Sequence, residues 1–234
     1  MRRFYKAVTW APAPGGYVLR LDDKILRTPL SHAVLLESAD LTAAIADEWI
    51  AQSDTIVPAS MQMMQLANTM IDKGLGDARN DIVQHVLIYA GSDLICYFAD
   101  HPAKLTARHE ALWRPLLGWL EKCHGIRLEA VQGIRHHQQP EGTIEKFKKL
   151  LESLSPADFT VVQAAAGTAG SLVIALALLE GQLDAHSAWE AACVDEIFQL
   201  EMWGEDAEAR SRLERIKKEL AMISQFSDLV KART

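Results

Sequence analysis

The sequence predicts an α+β protein, in which a small β-rich amino-terminal domain precedes a larger all-helical domain. Strand-forming residues separated by glycine and proline turns fill residues 1–37, as in a small sheet. From Pro58 onward, apolar residues recur at helical spacing. The hydrophobic content of 49% and charged content of 24% are those of an ordinary globular protein. We therefore predict domains over residues 1–57 and 58–234.

The amino-terminal domain is predicted to contain hairpins packed on one helix. Strands are predicted over residues 4–10, 17–21, 24–27 and 33–37, with a break at the proline and glycine residues 12–16. A sheet of this size is not stable alone. We expect it to lean on a helix over residues 41–52, capped by Ser38 or Asp40.

The remainder of the chain is predicted to be mainly helical. Helices are expected over residues 61–73, 78–90, 102–123 and 143–154, the third interrupted or kinked near Pro115. Short extended segments are expected at residues 92–98 and 125–131. The methionines of residues 61–70 are interpreted as deformable core, although methionines also suit adaptable surfaces.

Residues 159–179 carry no charge and are long enough to span a bilayer, so membrane insertion has to be considered. Polar and small residues at positions 167–171 favour two short core helices that meet at a turn, and we expect no membrane insertion. The same turn resembles a phosphate-binding loop. However, no lysine follows it and no clear strand precedes it, which argues against nucleotide binding.

Composition also restricts function. The formal net charge of −7 argues against nucleic-acid binding, because phosphate contacts require clustered cations. The three cysteines are widely spaced and form no CxxC pair, which argues against a zinc site and favours a reducing compartment. His136 and His137 lack acid or cysteine neighbours, whereas His85, His101 and His109 are interpreted as solvated or helix-face residues. We expect neither a metal nor another cofactor.

An acidic run near the carboxyl end has the most informative pattern in the chain. At helical spacing, Glu196 lies on the stripe of Trp189, Cys193, Leu200 and Trp203, where a core residue is expected. Gly204 then ends the helix as a cap. Glu196 is either a core acid held by an internal arginine or amide, or a carboxylate reserved for a partner, because an unpaired buried charge is costly. Asp93 is interpreted as a turn cap or as the partner of an arginine such as Arg27.

Six motifs occur in one order along the chain, and together they resemble the F1-ATPase assembly chaperone family that binds the alpha subunit. They are Leu21-Asp22-Asp23-Lys24 with Arg27-Thr28-Pro29, Glu48-Trp49-Ile50-Ala51-Gln52, Leu66-Ala67-Asn68-Thr69-Met70-Ile71-Asp72, Asp93-Leu94-Ile95-Cys96-Tyr97, Gly170-Ser171-Leu172, and Asp195-Glu196 with Gln199, Glu201 and Trp203-Gly204-Glu205-Asp206. The chain departs from the family pattern at residues 61–64 and at Phe98.

The resemblance implies a chaperone without catalytic activity that transiently captures the unassembled alpha subunit of F1-ATPase and yields it to the beta subunit. It also implies an important acid in the carboxy-terminal helices. The predicted partner-binding residues are Glu196, Phe198, Glu201, Trp203, Glu205 and Asp206. The predicted structural residues are Arg27, Trp49, Asn68, Asp72, Asp93, Gly170, Ser171 and Gly204.

Two alternatives and two further expectations accompany this prediction. A hydrolase-like enzyme would use Glu196 and Asp93 as buried acid and base in an interdomain cleft, and a structural subunit would remain in the finished complex. The chain opens without a secretory signal, so we expect the cytoplasm of a bacterium, or the mitochondrial matrix for a mature eukaryotic form. We also expect a monomer.

Overall fold

A computed structural model describes residues 1–74, 76–204 and 206–232, without the side chain of Asp77. It confirms the α+β prediction, with strands near the amino terminus followed by helices. The strands are Val8–Ala13 (β1), Gly16–Leu21 (β2), Lys24–Ile25 (β3), Leu35–Leu36 (β4), Tyr97–Phe98 (β5) and Val131–Gln132 (β6). The helices are Ala39–Ile50 (α1), Gln62–Lys73 (α2), Gly76–Gly91 (α3), Ala103–His124 (α4), Thr143–Ser153 (α5), Pro156–Ala169 (α6), Leu172–Leu179 (α7), Ala185–Ala192 (α8), Val194–Trp203 (α9) and Ala207–Lys231 (α10).

The chain forms two compact units. The first contains Met1–Arg79, Ser155–Thr160 and the segment that begins at Gln225. The second contains Asn80–Leu154 and Val161–Ser224. This division differs from the boundary predicted after residue 57, because α2 belongs with the sheet. The sequence signal at Pro58 marks a change from strand to helix spacing within the first unit.

The first unit contains a four-stranded antiparallel sheet in which β2 pairs with β1, β3 and β4. The β1–β2 hairpin runs in register from Val8 opposite Leu21 to Ala13 opposite Gly16. The first strand therefore starts later than predicted and passes through Pro12. A proline is tolerated there because β1 is an edge strand that does not need every backbone N–H.

Helix α1 covers the sheet of the first unit. Ser38 caps it by accepting a 3.1 Å hydrogen bond from the Leu41 amide. Of the two predicted cap residues, Ser38 and not Asp40 is therefore the cap. Leu41 and Ile45 of α1 are buried, as are Leu19 and Leu36 of the sheet. This burial provides the apolar face that so small a sheet requires.

The second unit surrounds the apolar helix α7, whose eight residues are all buried. Gly170, at φ +70°, provides the left-handed turn after α6, and Ser171 caps α7 by accepting from the Ile174 amide at 3.1 Å. Two core helices meeting at a turn, as predicted, thus account for the uncharged segment. Among the described residues, no helix is both long and apolar enough to cross a bilayer.

Asp93 is completely buried at the amino-terminal end of α7. Its Oδ2 accepts hydrogen bonds from the amides of Leu172 at 2.8 Å and Val173 at 3.1 Å, and its Oδ1 accepts from Ile95 at 3.3 Å. The prediction of a turn cap is therefore correct, and amides rather than Arg27 satisfy the carboxylate. A bound phosphate would use these same α7 amides, so an internal carboxylate already occupies the position that a phosphate would take at this turn.

The helical part of the chain also contains a small sheet. Tyr97–Phe98 and Val131–Gln132 form a two-stranded parallel sheet, within the extended segment expected at residues 92–98 and at the end of the one expected at residues 125–131. Helix α4 also continues through Pro115 instead of being interrupted there. It contains the fully buried Trp113, whose indole donates a 2.8 Å hydrogen bond to the Ala191 carbonyl.

Replacing Asp93 with asparagine is expected to give a pH-dependent loss of stability. Burial raises the pKa of Asp93 from 3.8 to about 6, even though Ser171 and the three amides act to lower it. The folded state therefore holds a proton that the unfolded chain has lost between these values. The stabilising contribution is full below pH 3.8 and falls as pH rises through about 6, by roughly 3 kcal/mol.

The measurement is urea unfolding followed by circular dichroism, at several pH values, for the wild type and Asp93→Asn. An asparagine has one acceptor oxygen for these donors, so the variant should be less stable by about 1–3 kcal/mol in acid. This difference should shrink as the pH rises. A difference that stays constant with pH would contradict the buried, protonated carboxyl.

Thiol labelling is expected to distinguish the three cysteines. Cys96 and Cys193 are buried and Cys123 is exposed. Burial, with the nearby Asp93 charge, raises the pKa of Cys96 far above its ordinary value, and burial, with Glu196, raises that of Cys193 to about 12. Because the thiolate is the reactive form, Ellman's reagent should modify one cysteine in the native chain and all three in denaturant. Rapid native labelling of a second thiol would contradict this burial.

Candidate functional site

The predicted partner-binding residues that the structure describes lie on α9 and at its junction with α10, in the second unit. Residues 194–206 contain five acids and no lysine or arginine. We call Glu196, Glu201, Met202, Trp203 and Asp206 the acidic corner. The helix predicted through Trp189 is broken at Cys193, which separates α8 from α9. Gly204 ends α9 where predicted, with its amide bonded to the Leu200 carbonyl at 3.1 Å. Its φ of +91° and ψ of −178° differ from the left-handed helical conformation that the usual glycine cap adopts.

Glu196 is half-buried and forms an ion pair with Arg212 of α10, at 2.5 Å between Oε1 and the guanidinium. Its side chain is 32% exposed and that of Arg212 is 54% exposed. The carboxylate is therefore held by an internal arginine, as the first interpretation proposed, but it is not enclosed. Exposed ion pairs contribute only about 0–1 kcal/mol, so a partner's cation can replace Arg212 at little energetic cost.

Glu201 forms a second ion pair, with Arg108 of α4. Two hydrogen bonds join its carboxylate to the guanidinium, one of them 3.1 Å long. They lower the pKa of Glu201, with the charge of Arg108 adding to the effect. The guanidinium carbon of Arg108 also lies 5.2 Å from the centre of the Phe198 ring. Phe198 is only 4% exposed because this face of α9 packs inward, so the structure does not offer this predicted partner-binding residue to a partner.

Trp203 is the apolar side chain that the acidic corner presents to solvent. It is 80% exposed, and its neighbour Met202 is 54% exposed. Asp206 instead has a structural function, since its carboxylate caps α10 by accepting from the amides of Glu208 at 2.8 Å and Ala209 at 3.2 Å. Glu205 lies outside the described residues. Adjacent exposed apolar side chains rimmed by charge are typical of a protein-binding surface.

His109 lies on α4, in agreement with the expected helix position, but it is buried and not solvated. It is 1% exposed and stacks on Trp113, with 3.8 Å between ring centres. Its Nδ1 accepts a 2.9 Å hydrogen bond from the Ala99 amide, which leaves Nε2 facing the Asp195 carboxylate at 3.3 Å. The distance between Nε2 and the Asp195 carboxylate is short enough for an ion pair, but the two groups do not have the geometry of a hydrogen bond. Tertiary packing alone creates this environment, so no local pattern indicates it.

A groove of about 460 Å³ lies beside the Glu196–Arg212 pair and reaches the Gly170 turn. Asp93 does not line it, since that carboxylate is buried and bonded to amides. The acid and base pair of the predicted enzyme alternative is therefore absent from this groove. Among the described residues, no cluster of histidine, cysteine and acid side chains could hold a metal ion.

In the first unit, the motif acids Glu48 and Asp72 hold α2. Glu48 of α1 accepts hydrogen bonds from the α2 amides of Met63 at 2.7 Å and Met64 at 2.8 Å, and so caps the helix. Burial raises the pKa of Glu48, although these amides oppose the shift. Asp72 accepts from the Thr28 hydroxyl at 2.5 Å and from the Leu30 amide at 3.1 Å. These bonds fix the turn that begins at Arg27 against α2.

The same motifs line a cleft of about 650 Å³ within the first unit. Arg27 lies at its edge, where the guanidinium donates to the Ser31 carbonyl at 2.7 Å. Trp49 and Asn68 also line it. Their predicted structural role stays a prediction, but the structure brings these three residues, which are distant in sequence, to one cavity.

Removal of the Glu196 charge is expected to leave the fold almost unchanged. Because the Arg212 side chain is 54% exposed and that of Glu196 is 32% exposed, Glu196→Gln should lower the free energy of unfolding by less than about 1 kcal/mol. Urea unfolding would measure the change in the free energy of unfolding. Glu214→Gln is the control, because it removes the same charge from an exposed acid on α10, the helix that carries Arg212. A loss of several kcal/mol would mean that the pair is a core interaction.

Comparison with known proteins adds independent support for the resemblance. A family model described as the ATP12 chaperone protein matches residues 2–121, which is about half of the chain. The mitochondrial ATP12 protein of Saccharomyces cerevisiae is 24% identical over 233 residues, covering 82% of this chain and 72% of the yeast protein. The mitochondrial atp12 protein of Schizosaccharomyces pombe is 24% identical over 219 residues, covering 88% and 75%.

Solved structures match over nearly the whole chain. The crystal structure of Atp12 from Paracoccus denitrificans has a TM-score of 0.88 at 30% identity and covers 98% of both chains. A chaperone candidate from Agrobacterium tumefaciens has a TM-score of 0.86 at 33% identity, covering 100% of this chain and 86% of its own. The resemblance to F1-ATPase assembly chaperones is thus confirmed, and the chain belongs to the ATP12 chaperone family.

Proposed function

We propose that this chaperone binds the unassembled alpha subunit of F1-ATPase, prevents its aggregation and yields it to the beta subunit. The acidic corner is the proposed contact surface. The observation that carries this assignment is the solvent-exposed Trp203, which lies next to carboxylates held only by exposed arginines. Membership of a chaperone family supplies the functional class.

The chemistry of the corner suits a protein client. An indole that is 80% exposed offers a large apolar surface, and tryptophan is among the residues that contribute most to binding energy at interfaces. Glu196 and Glu201 can exchange Arg212 and Arg108 for cations of the client without uncovering a buried charge. A basic client surface is therefore favoured, in agreement with the net charge of −7.

Release follows from competition in this proposal. An unassembled subunit exposes apolar surface that its neighbours cover in the finished complex, and such surface aggregates. A chaperone that covers part of it loses the client when the beta subunit offers a larger complementary area, as mass action requires. The cycle needs no cofactor and no bond-making step. We further propose that the protein acts as a monomer, in the bacterial cytoplasm or the mitochondrial matrix.

Light scattering of the purified alpha subunit under aggregating conditions tests the proposal. An equimolar amount of the wild-type protein should suppress scattering. Trp203→Ala and Glu201→Lys should each weaken protection at least about fivefold in the concentration required, because they remove the indole or replace an attractive charge with a repulsive one.

Glu214→Lys is the matched control, since it makes the same charge change at an exposed position on α10. It should protect as well as the wild type. Equal protection by all variants would reject the acidic corner as the contact surface. Unchanged aggregation with the wild-type protein would reject the proposed function itself.

A further inference from the structure

The groove beside the Glu196–Arg212 pair is lined by two carboxylates and one guanidinium. Among the residues that the structure describes, its charged lining residues are Asp195, Glu196 and Arg212. Arg212 is paired with Glu196. The Asp195 side chain is 38% exposed, and within the described part of the chain its carboxylate has an ion-pair contact with His109 alone. The balance of charge in the groove therefore depends on whether His109 is charged.

His109 is neutral in this arrangement. The Ala99 amide bonds to its Nδ1 at 2.9 Å, and a backbone amide can only donate. Nδ1 is therefore the ring nitrogen without a proton, and the ring proton lies on Nε2. A second ring proton would face the Ala99 N–H and break this bond. The Asp195 carboxylate thus keeps a negative charge that no internal cation neutralises.

His109 also fixes the position of the Asp195 carboxylate. The ring is 1% exposed and stacks on Trp113, with 3.8 Å between ring centres, so it does not turn away. A ligand in the groove cannot reach the buried Nε2, which therefore acts only on Asp195, at 3.3 Å from Oδ1. A carboxylate has about four acceptor positions. Asp195 can therefore accept further donors from the groove while its contact with His109 remains.

The carboxyl end of α6 adds acceptors to the same groove. Gly167, Thr168 and Ala169, the last three residues of this helix, line the groove. Among the described residues their carbonyls accept no backbone hydrogen bond, whereas the Ala166 carbonyl accepts from the Gly170 amide at 2.9 Å. Carbonyls without such partners give the carboxyl end of a helix a partial negative charge. The helix end and the Asp195 carboxylate therefore attract a ligand of the same sign, a cation.

We propose that this groove receives an arginine side chain of the client, with Asp195 as its charge partner and His109 as the residue that positions Asp195. The inference rests on the proposed function, because the client supplies the arginine. A guanidinium carries five N–H donors, so it can bond to the carboxylate and to the α6 carbonyls together. Unlike Glu196 and Glu201, Asp195 binds the client without giving up an internal arginine.

Size and charge exclude the other kinds of occupant. The groove volume of about 460 Å³ is in the range of ordinary ligand pockets. An anion would face Asp195, Glu196 and the negative end of α6, and an apolar side chain would cover a charge without a partner. In the described part of the chain, no cluster of side chains could hold a metal ion. A positively charged side chain is therefore the occupant that the groove favours.

NMR of the full chain with a short peptide tests the proposal. The probe is an acetylated and amidated pentapeptide with one arginine among alanines and glycines. Its control carries citrulline, which has the shape of arginine without the charge. The arginine peptide should shift the backbone amide signals of Gly170 and Gln199, which line the groove. The citrulline peptide should bind at least about fivefold more weakly, because hydrogen bonds between charged groups are stronger than neutral ones.

A substitution of Asp195 with a matched control makes the test specific. Asp195→Asn keeps the shape and removes the charge, so it should weaken binding of the arginine peptide at least about fivefold. Asp40→Asn is the control, because Asp40 is the second residue of α1 as Asp195 is the second residue of α9. It removes the same charge from a first turn that does not line the groove, and should bind the peptide like the wild type.

Two substitutions of His109 separate positioning from packing. His109→Gln keeps an N–H donor for Asp195, whereas His109→Leu fills the same space without one. The glutamine variant should bind the arginine peptide within about twofold of the wild type, and the leucine variant at least about fivefold more weakly. Circular dichroism verifies that each variant is folded. Nitrogen NMR of the labelled wild-type imidazole should in addition show Nδ1 without a proton, whether or not the variants fold.

The outcomes separate this inference from the proposed function. Equal binding of the two peptides, equal binding by Asp195→Asn and the wild type, or unmoved groove signals at millimolar peptide overturns the arginine site, even if the protein still protects the alpha subunit. A protonated Nδ1, or equal losses in the two His109 variants, overturns the positioning role. Specific binding of the arginine peptide without protection of the alpha subunit supports the site and rejects the proposed client.

Discussion

The buried carboxylate of Asp93 is the interaction on which the second unit depends. It joins the turn at Ile95 to the first amides of α7, the helix at the centre of the apolar core. Without an internal acceptor these amides would be buried and unsatisfied, because α7 has no solvent-exposed residue. The acid thus permits an entirely apolar helix to begin inside the protein. The surface helices α8 and α9 come directly after this core helix in the chain.

The acidic corner combines side chains that are buried in the protein with side chains that are exposed to solvent. Helix α9 directs Phe198 inward, where it packs under Arg108, and leaves Trp203 in solvent beyond the end of the covered region. The two arginines hold Glu196 and Glu201 in defined positions at little energetic cost. In the proposed function, this surface binds its client by exchanging the arginine contacts of these two carboxylates.

The sequence predicted the fold class and helix order well because these follow from local periodicity and caps. It predicted the acidic corner only in part. Helical spacing places Leu200 and Trp203 on one apolar stripe of α9, and Phe198 and Met202 on a second stripe on roughly the opposite face. Spacing alone does not decide which stripe the rest of the chain covers. The structure buries Phe198 and exposes Trp203, and it encloses His109 through contacts made only on folding. Tertiary packing, which no local pattern encodes, determines all three outcomes.

The motif acids differ in whether their charge is available to another molecule. Asp93, Glu48 and Asp206 each accept hydrogen bonds from helix amides, so a partner could take them only by unwinding a helix end. The partners of Glu196 and Glu201 are exposed arginine side chains, which can rotate away. Asp195 faces the buried His109 at 3.3 Å, and a buried ring cannot rotate away. Among the motif acids that the structure describes on α9 and just before α10, Glu196 and Glu201 therefore have the chemistry that the proposed exchange requires. Family resemblance alone does not make this distinction, because cap acids and exchangeable acids occur in the same motifs.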